Sequence, residues 1–448
     1  MRRELHYYDI FPKVVQTEKV TTITVKILEK RYLPKDGEPV TVKIIPMTQI
    51  ASGSDSYHTF EAVPQNGTFT FSHLFTCEQE YGVYIHTSET EFARLAVYAL
   101  ENDLYALTPL KGDFHVHSTG SDGREMPEAV MAYYRQAGYD FTALTDHYNY
   151  TSSLQAKEFY KDVKLDFNII EGEEVHVAGN NIHAVNFGGE YSVNSIFRND
   201  KEKYETEVSE IIASLDPTLK FDSDAERFKY ASCIWVFKHI RKANGLAIFP
   251  HPHWNVKAYH VRDSITKLLF KSKCFDAFEL IGGQTAIENN MQLAFYYTAV
   301  KEGYGDVPVV SCSDSHGTIY EKMAGSSLPG NTGPDYPFTD FYTIVFAASN
   351  TKNDIITAVK NKNTAAIETY ANAPPRVHGD YRMVSYAMFL ISEYFPLHAE
   401  LCYEEGRLMR RMAYHGDTNA EAELNRLSGR VGALVAKYFG RCSESMLK

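Results

Sequence analysis

Cysteine is scarce in this sequence, and its placement excludes two common uses of the residue. The six cysteines are scattered and include no Cys-x-x-Cys pair: they are Cys77, Cys233, Cys274, Cys312, Cys402 and Cys442. Neither a zinc ribbon nor a disulfide framework is therefore predicted. Because residues Met1 to Tyr7 also lack the apolar segment of a signal peptide, we expect a cytoplasmic protein with reduced thiols.

Long apolar runs and an excess of positive charge are also missing. No run of apolar residues is long enough to span a bilayer, so no membrane segment is predicted. The formal net charge is −12, which disfavours non-specific binding to nucleic acid or to an anionic membrane. A small phosphorylated substrate remains open, because the charge of bound metal ions can outweigh the overall field of the protein.

Three regions with different patterning divide the chain. Residues 1–108 alternate apolar and polar side chains between turns, as at Ile23, Val25 and Ile27, which predicts a small β-sandwich. In residues 109–375, short apolar strands alternate with helical stretches, which is typical of an α/β fold. Residues 376–448 are predicted to be helical. The first region is expected to be a structural or substrate-shielding module.

The C-terminal region carries an apolar stripe. Leu424, Leu427, Val431, Leu434 and Tyr438 follow one another at steps of three and four residues, which places them on one face of a helix. This tail is predicted either to pack on the α/β domain or to form a subunit contact. The C-terminal helices are therefore a candidate surface for a homo-oligomer.

The most informative stretch begins at Asp113 and reads DFHVHSTGSDG. His115 and His117 are two residues apart, so on a strand both imidazoles leave the same face and can reach one metal ion. Asp122 follows in a turn next to Gly123, from which it can fold back towards the same ion. Such a pair of histidines is weak support alone, and its weight comes from similar clusters further along the chain.

Five further clusters of histidine and acidic residues each lie at or just after a short apolar run. They are Thr145-Asp146-His147, Gly172-Glu173-Glu174, Ile182-His183, Pro250-His251-Pro252 and Ser313-Asp314-Ser315-His316. In β/α barrels the carboxyl ends of the strands carry the active site, so these side chains are predicted to converge. Residues 317–340, rich in glycine, proline and serine, are predicted to form a long loop over this face.

Imidazole and carboxylate ligands without nearby thiolates suit zinc, manganese or iron. We expect two to three divalent ions, with Glu174 bridging two of them. Ions about 3.5–4 Å apart can activate water and clamp the oxygens of a displaced group, which favours hydrolysis, particularly of phosphate esters. Taken singly, each cluster also has an ordinary structural explanation. The clusters together are much harder to explain in that way.

Three residues are candidates for catalytic roles beside the metal ligands. Asp146 and His253 are candidate proton donors to the leaving group, although Asp146 could instead cap a turn or orient a ligand histidine. A metal-bound water could also donate the proton. Arg124 is a candidate for binding phosphate or for pairing with a surface acid. Cys312 is predicted to be a buried strand residue, not a nucleophile.

These motifs resemble the polymerase and histidinol phosphatase (PHP) family of metal-dependent phosphoesterases. The matching segments, in the family's order, are FHVHSTGSDG, ALTDH, GEE, IHAVNFG, FPHPH and CSDSHG, within roughly residues 111–370. The resemblance implies a distorted TIM-like (β/α)7 barrel, preceded here by the β-sandwich and followed by the helical tail. The choice of Glu174 over Glu173 follows the family's GxE pattern. Asp122 stands where some members have histidine, which leaves the third metal open.

The resemblance also implies three sets of ligands. One ion would be held by His115, His117, Glu174 and Asp314, a second by Glu174, His183 and His251, and a third by Asp122, His147 and His316.

Three functions remain open from the sequence. The first is a phosphoesterase that uses a metal-activated hydroxide on a small phosphorylated substrate. The second is a hydrolase of a carbamate, amide or carboxyl ester with the same ligands, and the third is a non-catalytic, metal-stabilised binding protein. Basic groups that face the site, with Arg124, Lys257 and Arg262 as candidates, would favour phosphate.

Overall fold

The structure is a computed structural model that describes residues 3–35, 37–48, 57–87, 90–317, 338–369 and 373–441, without the side chains of residues 90–92. Strands β1–β19 are Tyr8–Phe11, Val14–Gln16, Val20–Ile27, Val40–Pro46, His58–Ala62, Thr68–Leu74, Gln79–Thr87, Thr90–Leu100, Thr108–Asp113, Phe141–Ala143, Asn168–Ile170, Gly172–Val175, Ala184–Phe187, Leu246–Phe249, Ala277–Ile281, Val309–Ser311, Phe341–Ala347, Thr364–Glu368 and Arg376–Gly379. Helices α1–α13 are Asn102–Tyr105, Pro127–Gln136, Thr151–Phe159, Val193–Asn199, Lys201–Ser214, Asp224–Lys242, Asp263–Ser272, Ala286–Lys301, Lys352–Lys360, Tyr381–Glu393, Phe395–His415, Thr418–Leu427 and Arg430–Phe439. Short 3-10 helices lie at Arg3–His6, Lys30–Tyr32 and Phe338–Asp340.

Two compact units divide these elements. The first comprises residues 1–108, 381–401 and 427–448, and the second comprises residues 109–380 and 402–426. The helical residues after 376 are therefore shared between the units and do not form a unit of their own. Among the described helices, none combines the length and the apolar character that crossing a membrane requires.

The first unit contains two mainly antiparallel sheets, ordered β1-β3-β6 and β2-β8-β7-β4-β5. The alternation seen in the sequence sets which side chains are buried, because successive residues of a strand point to opposite faces. Ile23 pairs with Phe71 in one sheet and Val42 with Ile85 in the other. Side chains from both sheets form one apolar cluster, as expected for the predicted β-module.

The C-terminal stripe does not lie on one helix. Leu424 and Leu427 belong to α12, whereas Val431 and Tyr438 belong to α13. The break lies at Gly429, whose φ of +86° is in the left-handed region that glycine tolerates and other residues avoid. Within the first unit, the hydroxyl of Tyr438 donates to Asp9 at 3.0 Å, so this part of the stripe is already packed within the chain. A subunit contact through these helices stays a prediction.

The second unit is a mixed α/β structure with two sheets, ordered β11-β10-β9-β17-β18-β19 and β12-β13-β14-β15-β16. Several of its strands are short and wholly buried, such as Leu246–Phe249 and Val309–Ser311, as is typical of parallel strands covered by helices. Pairs β9–β10, β10–β11, β14–β15 and β15–β16 are parallel.

The structure departs from the predicted barrel in two respects. The ladders of the described residues form two sheets, and a closed barrel is not observed in them. Pairs β12–β13 and β13–β14 are antiparallel. Only residues 176–183 connect β12 to β13, and a parallel connection needs a crossover of about a dozen residues or more. The predicted loop over residues 317–340 falls mainly on residues 318–337, outside those described.

A buried ion pair holds α11 against α2 within the second unit. Arg135, which is fully buried, donates from Nε to Glu405 Oε2 at 2.7 Å and from Nη1 to the carbonyl of Tyr139 at 2.9 Å. Glu405 also accepts from the backbone N–H of Asp166 at 2.8 Å. Removing one partner of such a pair leaves an uncompensated buried charge.

We expect Glu405→Gln to lower the free energy of unfolding by up to about 3–5 kcal/mol. The buried Arg135 guanidinium would lose its nearer counter-charge and keep only Asp140, whose Oδ1 lies 3.6 Å from Nη1. Urea unfolding would measure the loss. Glu404→Gln is the matched control, because it makes the same change of charge at an exposed neighbouring position. Equal stabilities of the two variants would contradict a structural role for the ion pair.

Candidate metal centre

The predicted ligands lie at the ends of strands from both sheets of the second unit. His115 and His117 follow β9, and Asp314 follows β16. Two isolated parallel bridges connect the sheets at this edge: Val116 pairs with Ser315, and His147 pairs with Glu174. The backbone itself therefore brings the sequence-distant clusters together, which a single strand could not do.

Glu174 lies at the centre of this group with no exposed surface. Six imidazoles surround its carboxylate, at nitrogen–oxygen distances of 2.6 Å for His183, 2.7 Å for His147, 3.4 Å for His115, 3.4 Å for His251, 3.5 Å for His117 and 3.6 Å for His176. Its neighbour Glu173 points away and accepts hydrogen bonds from Ser192 Oγ at 2.7 Å and Asn194 Nδ2 at 2.9 Å. The alternation of a strand thus decides which of the two glutamates faces the histidines.

Asp314 is the second carboxylate at this centre. Its Oδ1 lies 3.1 Å from His117 Nε2 and 3.3 Å from His115 Nε2, and its Oδ2 lies 4.0 Å from His251 Nε2. Asp314 and His251 have φ values of +48° and +30°, which residues other than glycine seldom adopt. Such strain is concentrated at functional sites, where the surrounding structure enforces it.

Asp122 belongs to an outer group with His316, His147 and His117. Its Oδ1 lies 3.3 Å from His316 Nε2, and its Oδ2 lies 3.6 Å from His147 Nε2. Its side chain is 58% exposed, in contrast to the buried Glu174. A Cβ at Gly123 would lie 2.6 Å from the backbone nitrogen of Ser118, so the turn that presents Asp122 requires glycine at that position.

The nine predicted metal ligands thus fall into overlapping groups whose donor atoms lie within 4.8 Å of one another. These groups include His117–Asp122–His147–His316, His115–His117–Asp314, His115–Glu174–His251 and His147–Glu174–His176, together with His183–His251–His260. Glu174 connects the groups, because it is within 3.6 Å of histidines from each of them. The arrangement can hold more than one divalent ion.

The hydrogen-bonding state of these atoms fits metal ions. Within the described residues, His115 Nε2, His183 Nδ1 and both Glu174 oxygens are buried and have no partner with hydrogen-bond geometry, although they lie close to one another. Buried polar groups normally find partners. Lone pairs that converge without an intervening proton are what a divalent cation requires, and nitrogen and carboxylate donors suit zinc, manganese or iron.

Without bound metal, the charges at the centre are strongly coupled. Burial alone would raise the pKa of Glu174, but the imidazoles of His183, His147 and His115 hold it well below its usual range. Burial is also the largest effect on His183, whose pKa is well below its usual value, and neighbouring imidazoles lower it further. In contrast, neighbouring carboxylates raise the pKa values of His115, His147 and His251 despite their burial. A metal ion would bind the ionised carboxylate and the neutral form of each ring, and would therefore displace protons from these imidazoles.

Buried acids behind the centre fix the ligands in place. Glu279 Oε2 lies 3.1 Å from His115 Nδ1, which leaves Nε2 of that ring facing Glu174 and Asp314. Asp113 accepts from the backbone N–H groups of His115 at 3.2 Å and Ser313 at 3.1 Å, and burial raises its pKa to about 7. These contacts join the ends of β9 and β16.

Three residues at or next to the centre were not among the predicted ligands: His176, His260 and Glu279. His176 had a recognisable signal in its nearness to Glu174, but it broke the spacing of the strand ends. His260 lies beyond the motif at His251, and only folding places it in a group with His183 and His251. Glu279 did carry a signal, because it is the one acid in the wholly buried strand Ala277–Ile281.

The residues predicted to transfer protons have other partners. Asp146 is buried and accepts from Ser118 N at 2.7 Å, Ser118 Oγ at 2.5 Å and Ser121 Oγ at 2.6 Å, which favours a structural role in the loop that follows His117. His253 Nε2 lies 3.2 Å from Asp263 Oδ1. Among the described contacts, His253 makes none with the predicted ligands. The two catalytic assignments stay predictions without structural support.

The candidate phosphate-binding cations differ in their placement. Arg124 is exposed beside the outer group, where its backbone N–H donates to the carbonyl of His316 at 3.0 Å. Arg262 is paired with Glu226 Oε1 at 2.7 Å and Asp222 Oδ2 at 3.4 Å, so the prediction that it faces the substrate is not supported. Lys257 is exposed and has a φ of +83°.

Comparisons with known proteins give similarities over parts of the chain. The chain is similar to PHP-like metal-dependent phosphoesterases. It is 34% identical over 91 residues to the DNA polymerase/3′–5′ exonuclease PolX of Bacillus subtilis. The aligned segment covers 17% of this chain and 15% of that protein. The match therefore spans a small part of the relative's length. No protein-family model matches the chain.

Three solved structures are similar to parts of this chain, each at less than 20% identity. A two-domain protein from Bacteroides vulgatus, described as containing a PHP-like metal-dependent phosphoesterase, has a TM-score of 0.38 at 19% identity, covering 58% of this chain and 65% of that one. A metal-dependent phosphoesterase from Bifidobacterium adolescentis has a TM-score of 0.33 at 17% identity, covering 50% and 92%. An amidohydrolase from Chromobacterium violaceum has a TM-score of 0.30 at 18% identity, covering 46% and 87%.

Replacing the central carboxylate should reduce the binding of more than one ion. We expect Glu174→Gln to lose at least about 100-fold in metal affinity, above the 10–100-fold typical of outer-shell changes, because its carboxylate serves several groups. Metal content after dialysis would be measured by elemental analysis. Glu173→Gln makes the same change at a carboxylate that faces away, and it should keep its metals. Retention of all metal by Glu174→Gln would show that another carboxylate bridges the ions.

The contact between Glu279 and His115 gives a second test. Glu279→Gln should lower metal affinity by about 10–100-fold, because the amide orients His115 less firmly than a carboxylate does and can offer it either oxygen or nitrogen. Competition with a chromophoric chelator would measure the affinity. Unchanged affinity, with an unfolding midpoint equal to that of the unmodified protein, would contradict an orienting role for Glu279.

Proposed function

We propose that the protein is a metal-dependent phosphoesterase that acts on a small phosphorylated substrate with two to three divalent ions of zinc, manganese or iron. The observation that carries the proposal is the single buried carboxylate of Glu174 within 3.6 Å of six imidazoles. A structural site needs one closed set of ligands. Overlapping groups that share a carboxylate suit a polynuclear hydrolytic centre.

The residues divide into holding and positioning roles. His115, His117, Asp314 and Glu174 would hold one ion, with further ions held by Glu174, His183 and His251 and by Asp122, His147 and His316. Such ions, when bound, lower the pKa of water and neutralise charge on phosphoryl oxygens. Glu279 orients His115, and Asp146 holds the loop that carries Asp122.

Two possible nucleophiles near the centre, Cys312 and Ser118, are poorly suited to covalent catalysis. Burial raises the pKa of the Cys312 thiol well above its usual value, which leaves it a poor nucleophile. The Ser118 hydroxyl is fully buried and donates to Asp146, so it is not placed to attack a substrate. Arg124, beside the outer group, is the proposed side chain for contacting a substrate phosphoryl oxygen.

The two sheets are proposed to be the halves of a distorted β/α barrel. The bridges Val116–Ser315 and His147–Glu174 each join one sheet to the other. They lie at the edge that carries the ligands. Single bridges in place of continuous ladders would leave the strands free to splay around a large polar centre.

Metal removal and reloading would test the proposed activity. The protein stripped by a chelator should lose phosphate release from a panel of phosphate monoesters, and reloading with zinc, manganese or iron should restore it. Glu174→Gln should lose at least about 100-fold in turnover, and Glu404→Gln should keep full turnover.

The same panel separates the alternatives. Turnover of carboxyl esters, amides or carbamates without any phosphate release would replace the proposal by the second kind of hydrolase. Binding of stoichiometric metal with no turnover of any ester would instead support a metal-stabilised binding protein.

A further inference from the structure

A cavity of about 560 Å³ opens beside the metal centre. His176 and His183 line both the cavity and the centre, because their rings contact His147 and Glu174 on one side. Small-molecule sites commonly have volumes of about 300–1,000 Å³. The cavity is therefore large enough for the organic part of a small substrate whose reacting group lies at the metals.

The cavity has its own supporting structure. Residues 177–181 between β12 and β13 form one wall, Phe197 and Arg198 of α4 form another, and Lys229 comes from α6. Gly179, with a φ of +79°, keeps the loop close to the ring of Phe228, where a Cβ would lie 2.9 Å from Cε1. These elements are separate from the strands that carry most of the predicted ligands.

The two cations of the cavity have neutral partners. Arg198 Nη1 donates to the carbonyl of Tyr148 at 2.9 Å, and its guanidinium lies 5.2 Å from the centre of that tyrosine ring. Lys229 Nζ donates to Asn181 Oδ1 at 2.6 Å. Among the ion pairs of the described residues, none includes Arg198 or Lys229, and no acidic residue lines the cavity.

This local charge is opposite to that of the protein as a whole, whose net charge is −12. Arginine and lysine with neutral partners keep hydrogen-bond donors and full charge for an anion. A structural explanation would make Arg198 a stacking partner of Tyr148 only. Stacking on Tyr148 accounts neither for the position of Lys229 nor for the cavity that both cations line.

We propose that this cavity binds the leaving-group part of the substrate, and that this part carries a second oxyanion, a carboxylate or a phosphate, held by Arg198 and Lys229. The inference rests on the proposed phosphoesterase function and narrows its substrate class to phosphate esters with a second anionic group. Tyr148 and Phe197 supply apolar surface for the carbon framework that joins the phosphate ester of the substrate to its second anionic group.

A matched series of phosphate esters tests this assignment in the metal-loaded protein. Phenyl phosphate lacks a second anion, 4-carboxyphenyl phosphate adds a carboxylate, and 4-phosphonophenyl phosphate adds a phosphonate that is not hydrolysed. We expect kcat/KM for at least one of the two esters that carry a second anionic group to exceed kcat/KM for phenyl phosphate by about tenfold or more. A factor of this size is typical of hydrogen bonds to a charged group. The better of the two identifies carboxylate or phosphate as the preferred anion.

Substitution of the two cations assigns the effect to this cavity. Arg198→Gln and Lys229→Gln should each reduce the ratio of kcat/KM for the preferred ester to kcat/KM for phenyl phosphate by about tenfold, mainly by raising KM for the preferred ester. Lys238→Gln is the control, because it removes the same charge from an exposed position of α6. Metal content should be equal in all variants.

The outcomes separate the inference from the proposed function. Hydrolysis of phenyl phosphate with no preference for a second anion, or with a preference that both substitutions leave intact, would overturn the inference and leave the phosphoesterase proposal standing. Absence of any phosphate ester hydrolysis by the metal-loaded protein would overturn both. As a measurement without turnover, thermal stabilisation by 4-carboxybenzylphosphonate should exceed that by benzylphosphonate, and Arg198→Gln should remove the difference; equal stabilisation would also count against the inference.

Discussion

The second unit depends on the burial of one carboxylate among imidazoles. A glutamate with no exposed surface is costly to keep ionised, because it loses its hydration. Six histidine rings around Glu174 offset that cost through their charge and polarity, and bound cations would offset it further. The strand ends must therefore meet at this point, and the backbone bridge between His147 and Glu174 joins two of them there.

The remaining polar interior supports this centre. Asp113 and Glu279 are both fully buried, and each contacts His115, one at its backbone and one at its ring. Tyr134 from α2 donates to Asp113 at 3.1 Å and contacts Ser313 Oγ at 2.7 Å. A helix, two strand ends and a ligand ring thus share one hydrogen-bonded network, which fixes the donor atoms more narrowly than packing alone would.

The part of the second unit that is proposed to face the substrate is built differently from the part that is proposed to hold metal. The ligands come from strand ends, where backbone hydrogen bonds limit movement. The cavity walls come from the loop at residues 177–181 and from helices α4 and α6. Such a division would allow the cavity to change in sequence without a change in the predicted ligands, because loops tolerate substitution better than paired strands.

The sequence by itself was sufficient to predict the β-module, the α/β pattern and the convergence of nine histidine and acidic side chains, because short-range periodicity and residue chemistry decide these features. The two-residue spacing of His115 and His117 places both rings on one side of the backbone whatever the rest of the chain does. The antiparallel β13 and the break at Gly429 were missed, because they follow from a connection length and a single backbone angle. Only the tertiary structure decided three features: the approach of His260 and Glu279 to the centre, the hydrogen-bond and ion-pair partners of Asp146 and Arg262, and the placement of Arg198 and Lys229 on one cavity. Contacts between residues far apart in sequence depend on how the sheets and helices meet, and no local pattern records that.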